Sequence, residues 1–242
     1  MDQLFVDKME SGLNDLGISL SNRKMEQFYQ YYELLTEWNK VMNLTAITKM
    51  EEVVSKHFID SLSLVRVVHD LQEGAARLID VGTGAGFPGI PLKIVFPNLR
   101  VTLLDSLNKR IKFLDEVIRS LGLEEIAAVH GRAEDSGRNP EYREQYDYCV
   151  SRAVANASTL SEYCLPFVKV GGCFVAYKSG KIEEELEQGR SAVKLMGGEI
   201  QQTEHFHLTS ADADRTLVVI CKKEKTPKRF PRKAGVPAKE PM

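Results

Sequence analysis

Arg77-Leu-Ile-Asp-Val-Gly-Thr-Gly-Ala-Gly-Phe-Pro-Gly-Ile-Pro-Leu-Lys-Ile-Val-Phe96 is the stretch whose reading decides the fold. Arg77 to Val81 is a short apolar run with β-branched content, a strand signal. Gly82 to Gly89 places four glycines in eight positions, and Ile90 to Phe96 resumes as a helix. Strand, glycine turn and helix together form the unit that receives a nucleotide-like ligand at a helix N-terminus. Gly82, Gly84 and Gly86 are expected to take left-handed backbone angles and to let a flat ligand lie against bare main chain. Pro91 suits a first helical turn, where its missing N–H costs nothing.

Two ligand classes use such a turn. Gly84-Ala-Gly86-Phe-Pro-Gly89 matches the dinucleotide fingerprint Gly-x-Gly-x-x-Gly, a weak signal when it stands alone. Asp80 argues the other way, because a carboxylate at the strand end repels a pyrophosphate and attracts the ammonium and sulfonium of S-adenosyl-L-methionine. Asp105 closes the next expected strand, Arg100 to Asp105, and is placed to take both ribose hydroxyls. Glu134 follows the third strand, Ile126 to His130, and is placed to accept from an adenine amino group. The plainer alternative is three solvated loop acids, since acids favour helix starts.

Downstream of Arg77 the pattern alternates: strand 77–81, helix 89–96, strand 100–105, helix 108–121, strand 126–130, a loop with a short helix, strand 146–151, helix 157–168, strand 172–178 and helix 181–196. Such alternation predicts a mainly parallel sheet covered on both faces. Glu199 to Leu208 and Thr216 to Lys222, joined by a short polar loop with Asp212 and Asp214, read as a final hairpin, so the last strand runs antiparallel. The fold class is therefore α/β: a doubly wound, mainly parallel seven-stranded sheet of the S-adenosylmethionine-dependent methyltransferase type. A dehydrogenase would have six parallel strands.

The fourth strand runs into Ser151-Arg-Ala153 and carries neither an Asn/Asp-Pro-Pro-aromatic run nor Pro-Cys. Amino-group methylation of adenine or cytosine and a covalent cysteine mechanism are both disfavoured. Arg152 at this edge is placed to hold a methionine carboxylate, to pin a guanine or phosphate, or to form a structural ion pair. Lys178, ending the fifth strand, is a weaker candidate of the same kind.

Upstream, residues 1–72 read as an N-terminal helical subdomain packed on the core, ahead of the ligand-binding domain at 73–222. Leu4, Met9, Leu13 and Leu16 mark one helix ended by Gly17, and Ser21 is an N-cap for a second. The aromatics Phe28, Tyr29, Tyr31, Tyr32 and Trp38 are expected to pack this subdomain onto the sheet, with base stacking the alternative. Glu51 to Leu71 is expected to form another helix, with His57, Asp60 and Ser61 on one face. A hydrolase triad is a poor fit, since all three lie within one turn and no strained elbow presents the serine. They read better as a polar patch that bonds the glycine loop or meets the substrate.

The net charge of −2 hides an asymmetry. Residues 222–242 hold eight Lys/Arg against two Glu, leaving 24 basic and 32 acidic groups before them. The basic C-terminal tail, 223–242, looks disordered and points to a polyanion or to a solubilising end. Cys149, Cys164, Cys173 and Cys221 are scattered without metal-ligand spacing, which predicts reduced thiols, no metal site and a cytoplasmic address. The N-terminus is acidic and lacks a long apolar run, so neither a signal peptide nor a membrane span is expected.

The chain resembles the ribosomal RNA small subunit methyltransferase G family, also called the glucose-inhibited division protein B family. The resemblance runs through Trp38 to Thr45, His57 to Leu62, Leu78 to Leu92, Leu103 to Leu114, Gly131 to Glu134, Ser151 to Ala153 and Phe230 to Gly235. It implies methylation of N7 of a guanine in the 530 loop of 16S ribosomal RNA, with S-adenosyl-L-methionine as donor. Family cofactor positions carry over onto Gly82, Phe87, Ala133, Glu134 and Arg152, beside Asp80, Gly84 and Asp105 from the residues themselves. Guanine N7 keeps a free lone pair at neutral pH, so direct in-line attack needs no general base. No catalytic residue is assigned, Arg152 and Asp80 being the candidates. The expected partner is 16S ribosomal RNA or the small ribosomal subunit, met by a monomer. His57, Asp60, Lys109, Arg110, Arg132, Lys178, Lys228, Arg229, Arg232 and Lys233 are the candidate RNA contacts. The rival functions are a nicotinamide-dependent dehydrogenase and a non-enzymatic RNA-binding assembly factor.

Overall fold

The computed structural model describes residues 1–152, 155–180 and 182–242. The last residue of the Ser151 to Ala153 motif and the first of the helix expected at 181–196 lie outside the described residues.

Seven strands form one sheet in the order β3-β2-β1-β4-β5-β7-β6. They are β1 (Arg77–Val81), β2 (Arg100–Asp105), β3 (Ile126–His130), β4 (Tyr146–Ser151), β5 (Val168–Ser179), β6 (Gly198–Leu208) and β7 (Ala213–Lys222). β1 to β5 pair in parallel, while β7 runs antiparallel between β5 and β6. The expected fold class holds. The strand order reverses at β1, so the carboxyl ends of β1 and β4 diverge there and open the crevice in which such sheets bind ligands.

The helices are α1 (Gln3–Asp15), α2 (Asn22–Met42), α3 (Met50–Val53), α4 (Asp60–Leu62), α5 (Gly89–Val95), α6 (Asn108–Ser120), α7 (Ala133–Ser136), α8 (Ala157–Cys164), α9 (Glu183–Leu195) and α10 (Val236–Lys239). Strand alternation separates two cores. Leu78, Leu103 and Val150 face α1, α2, α5 and α6, whereas Ile79, Leu104 and Cys149 face α8, α9 and the C-terminal segment. Phe28, Tyr31 and Phe58 are fully buried in the first core, each contributing roughly 2–3 kcal/mol by burial. Tyr29, Tyr32 and Trp38 pack against it half-buried, so the N-terminal aromatics are a packing device.

Several local expectations need correction. The helix expected over Glu51 to Leu71 stops at Arg66, and a π-helical turn, Val54–Ile59, lies between α3 and α4. That widened turn is a common device for re-aiming side chains at functional sites. β5 begins four residues early, at Val168, and Asp214 belongs to β7 rather than to the hairpin loop. Cys173 and Cys221 are not free thiols: they stand opposite one another in the β5–β7 ladder and form a disulfide. Cys149 and Cys164 are free and buried.

The basic tail is not a disordered end. Lys222 is 1% exposed and donates to the Leu165 carbonyl and to Thr226 Oγ1, both at 2.6 Å. Arg143 reaches the carbonyls of Thr226 and Phe230, at 2.7 and 2.9 Å. Phe230 enters the second core, and the Met242 N–H donates to Ser158 Oγ at 2.8 Å. These anchors are apolar or uncharged, apart from the buried Lys222 and the Arg143 that reaches across, which is why a charge count does not show them. None of the described helices is long and apolar enough to cross a membrane.

Candidate active site

The glycine turn adopts the backbone its sequence demands: Gly82, Gly84 and Gly86 have φ of +73°, +62° and +99°. Gly86 has no room for a side chain. A Cβ there would sit 2.5 Å from Ile90 Cδ1 and 2.6 Å from Tyr31 Oη. Tyr31 donates its hydroxyl to the Ala85 carbonyl and stacks on Phe87 at 5.3 Å, so α2 holds the loop from behind.

Asp80 lies under this loop and does not line a cleft. Strand parity sends its side chain to the α5 side of the sheet with Leu78, where Oδ2 accepts from Thr83 Oγ1 at 2.7 Å and from the Gly89 N–H at 2.8 Å. The side chain is wholly buried, and burial pushes its pKa up to about 7 against the pull of those two bonds. Its carboxylate therefore caps the N-terminus of α5. The anion slot in which a dinucleotide pyrophosphate would sit is filled by the chain's own acid. The Gly84 to Gly89 fingerprint is a formal match without the corresponding site.

A cleft of about 440 Å³ opens at the carboxyl ends of β1, β2 and β3. Gly82, Asp105, Ala133 and Glu134 line it, with Leu104, Leu160 and Tyr163 as apolar wall. Asp105 accepts from the Gly84 N–H and the Leu107 N–H, each at 2.9 Å, and pairs with Arg110 at 3.0 Å. Glu134 Oε1 accepts from the Gly235 N–H at 2.7 Å. Two carboxylates thus stand at successive strand ends around an otherwise largely apolar floor. That pair of acceptors suits a ligand bearing hydroxyl and amino hydrogens on a flat ring. A Cβ added to Gly82 would meet nothing within 4 Å, so its bare backbone faces open space.

A second cleft, about 510 Å³, lies between the π-helical turn and the ends of β5 and β7. Arg152 donates to Asp60 Oδ2 at 2.9 Å, and Arg215 donates to Asp60 Oδ1 at 2.7 Å. His57 stacks on Phe87 with ring centroids 4.5 Å apart, and the Arg152 guanidinium lies over the same ring at 5.1 Å. Arg152 Nη2 stands 3.1 Å from His57 Nδ1, and Thr45 Oγ1 is 2.9 Å from Nε2. A guanidinium can only donate, so Nδ1 accepts and the proton resides on Nε2. Burial first, and then Arg152, bring the His57 pKa down to about 3, so the ring is neutral at physiological pH. Ser61 is buried and donates to the His57 carbonyl at 2.5 Å, which leaves no nucleophile–base pair.

The sequence-derived cofactor set is thus split. Gly82, Asp105, Ala133 and Glu134 meet in the first cleft, while Arg152 lines the second and Phe87 underlies its His57 and Arg152. Of the candidate RNA contacts, His57, Asp60 and Lys178 line the second cleft. Lys178 is tied there to the Ala155 carbonyl and to Glu185, each at 2.6 Å. Arg132 is exposed at the rim of the first cleft, Arg110 is bound to Asp105, and Lys109 donates to the Met42 carbonyl at 3.1 Å. Lys228, Arg229 and Lys233 are exposed. Arg232 is not free: its guanidinium grips the wholly buried Glu162 at 2.7 Å. Sequence reasoning missed Arg215 and Tyr177. The signal for Arg215 was available, since a reversed last strand brings its first residues, not its last, to the carboxyl edge of its parallel neighbours.

A family model described as rRNA small subunit methyltransferase G matches residues 24–218. The chain is 53% identical over 231 residues to the ribosomal RNA small subunit methyltransferase G of Lachnoclostridium phytofermentans, covering 96% of this chain and 95% of the relative. It is 52% identical over 231 residues to the same-named protein of Acetivibrio thermocellus, covering 96% and 94%. Among solved structures, Aeropyrum pernix fibrillarin with natively bound S-adenosyl-L-methionine superposes with a TM-score of 0.52 at 14% identity, over 66% of this chain and 72% of that one. At that identity the likeness is one of fold.

Proposed function

The chain belongs to the rRNA small subunit methyltransferase G family, and from that premise we propose that it methylates N7 of a guanine in the 530 loop of 16S ribosomal RNA. It is an S-adenosyl-L-methionine-dependent rRNA methyltransferase. The first cleft takes the donor: Asp105 accepts from ribose hydroxyls, Glu134 faces the adenine side, and Leu104, Leu160 and Tyr163 wall the ring. Bound there, S-adenosyl-L-methionine supplies an electrophilic methyl group on a sulfonium. The second cleft takes the target nucleotide, with the Arg152 and Arg215 guanidinium groups as donors toward a purine edge or a phosphate.

The observation that carries this proposal is the state of His57. Among the described residues lining the two clefts it is the one histidine or cysteine, and both of its ring nitrogens are engaged. His57 so held is no general base. Guanine N7 offers an unprotonated lone pair at neutral pH, so no proton has to be moved. Positioning alone supplies about 7 kcal/mol or more of such a barrier. Asp60 serves it by locking both guanidinium groups in place.

The exposed Lys228, Arg229 and Lys233, with Arg132 at the rim of the donor cleft, offer cations to the RNA backbone. The cytoplasm, where ribosomal RNA is processed, is the corresponding address, and a monomer suffices. The test is borohydride and aniline treatment of 16S ribosomal RNA from cells with and without the protein. Scission in the 530 loop that depends on the protein supports the assignment. Scission there in both strains, or in neither, refutes it. Binding of NAD in place of S-adenosyl-L-methionine by the purified protein would restore the dehydrogenase reading.

A further inference from the structure

We propose that the C-terminal segment Phe230–Met242 is a working wall of the donor cleft, in which the Arg232–Glu162 pair acts through Gly235 to set the carboxylate of Glu134. This rests on the assignment of the first cleft to the donor. Gly235 and Ala238 line that cleft together with Gly82, Asp105 and Glu134, so the end of the chain closes a site otherwise built around residues 81–163.

The contact that matters is the Gly235 N–H to Glu134 Oε1, at 2.7 Å. Gly235 has φ of +83°, a left-handed turn that aims its N–H at the acid. A hydrogen bond to a carboxylate is among the strong ones, and it fixes which way Glu134 presents its second oxygen. Oε1 is engaged, and Oε2 is the oxygen left to accept from a ligand.

Arg232, three residues earlier, locks the turn. Its backbone N–H donates to Glu162 Oε1 at 2.6 Å, and its Nε and Nη2 reach the same carboxylate at 3.0 and 2.7 Å. Nη2 also donates to the Glu240 carbonyl at 2.9 Å, so the segment is folded back on itself around one guanidinium. Glu162 stands on α8 between Leu160 and Tyr163, both of which line the cleft. Thr159 Oγ1 on the same helix donates to the Pro237 carbonyl at 3.1 Å. One helix therefore carries the apolar wall of the donor site and the anchors of the strap that crosses it. Arg232 lines neither cleft, which makes it a positioning residue.

The experiment measures the dissociation constant of S-adenosyl-L-methionine by calorimetry for the parent, Arg232→Ala, Glu162→Gln, Glu134→Ala and the Arg232→Ala/Glu134→Ala double variant. Steady-state kcat and donor KM on 16S ribosomal RNA are read alongside. Arg232→Ala and Glu162→Gln are expected to weaken donor binding on the order of tenfold, the scale of one charge-assisted hydrogen bond. kcat at saturating donor and the KM for RNA stay at parental values. In the Glu134→Ala background the Arg232→Ala effect is expected to vanish, because alanine leaves the Gly235 N–H no side-chain acceptor and the route is gone.

Parental donor affinity in folded Arg232→Ala or Glu162→Gln overturns the inference, as does an undiminished effect in the Glu134→Ala background. Should Arg232→Ala fail to fold, Glu162→Gln, which keeps shape and an acceptor, carries the test on the same criteria. Failure of the parent to bind the donor would instead refute the assignment of the cleft.

Discussion

Replacing Gly86 with alanine is expected to cost far more stability than the same change at Gly84, although the two stand in one Gly-x-Gly repeat and both have positive φ. Each substitution forces an L side chain into left-handed backbone, at roughly 1–2 kcal/mol. At Gly84, φ +62°, the added Cβ meets nothing within 4 Å, so that is the whole cost. At Gly86, φ +99°, the Cβ falls 2.5 Å from Ile90 Cδ1, 2.6 Å from Tyr31 Oη and 3.0 Å from Ile90 Cγ1. Neither neighbour can retreat, because Ile90 and Tyr31 are both fully buried. Overpacking of that kind adds about 1–3 kcal/mol, for a total of roughly 2–5 kcal/mol. In a chain of 242 residues this lowers Tm by about 4–20 °C for Gly86→Ala and by about 2–8 °C for Gly84→Ala. Urea unfolding of both variants without added ligand measures the difference. Equal losses at the two positions, or a Gly86→Ala protein as stable as the parent, would refute the reasoning.

Three other outcomes follow from the charges. Changing Lys228, Arg229 and Lys233 together to alanine, with Arg232 kept, is expected to make the log–log salt dependence of RNA binding shallower by about 2, at roughly 0.7 per lost phosphate contact; an unchanged slope removes the segment from the RNA interface. The Lys222 pKa is brought down from 10.5 to about 8 by burial, so between those values the unfolded chain holds a proton the native state has shed, and stability rises with pH. Relative to Lys222→Met, the parent is expected to gain on the order of 2–3 kcal/mol across that window in urea titrations, and parallel pH profiles would contradict this. The His57 ring, its pKa down to about 3, is expected to show no imidazole titration by NMR between pH 8 and pH 5. Below about pH 6.5 the unfolded chain takes the proton that native His57 lacks, so stability is lost as the pH falls, by about 2 kcal/mol at pH 5. A midpoint near 6.5 would show that the ring is neither buried nor held by Arg152.

The alternation from Arg77 onward was legible because each strand is apolar with β-branched content and each connection carries its own turn chemistry; β1, β2, β3 and β4 fall where the residues place them. Gly82, Asp105 and Glu134 were legible for the same reason, since they stand at successive parallel strand ends, whereas Ala133 came from the family resemblance alone. Asp80 shows a limit that parity could have removed. Leu78 and Asp80 share one face of β1 while Ile79 and Val81 share the other, so an acid at position 80 points into α5 rather than into the crevice. The Cys173–Cys221 bridge depends on the register between β5 and β7, which no local pattern encodes. The C-terminal segment was hidden by its own charge. Eight cations dominate its composition, yet the groups that hold it down include a buried lysine, a phenylalanine and backbone carbonyls.

The most direct measurement is transfer of labelled methyl from S-adenosyl-L-methionine by the purified protein to 16S ribosomal RNA lacking the modification, followed by nucleoside analysis. The predicted result is a single labelled group per RNA, recovered as 7-methylguanosine from the 530 loop, at a rate without an inflection near the usual histidine pKa. Label on any other nucleoside, or a rate that falls with protonation of a base near the ordinary imidazole pKa of about 6.5, would contradict it.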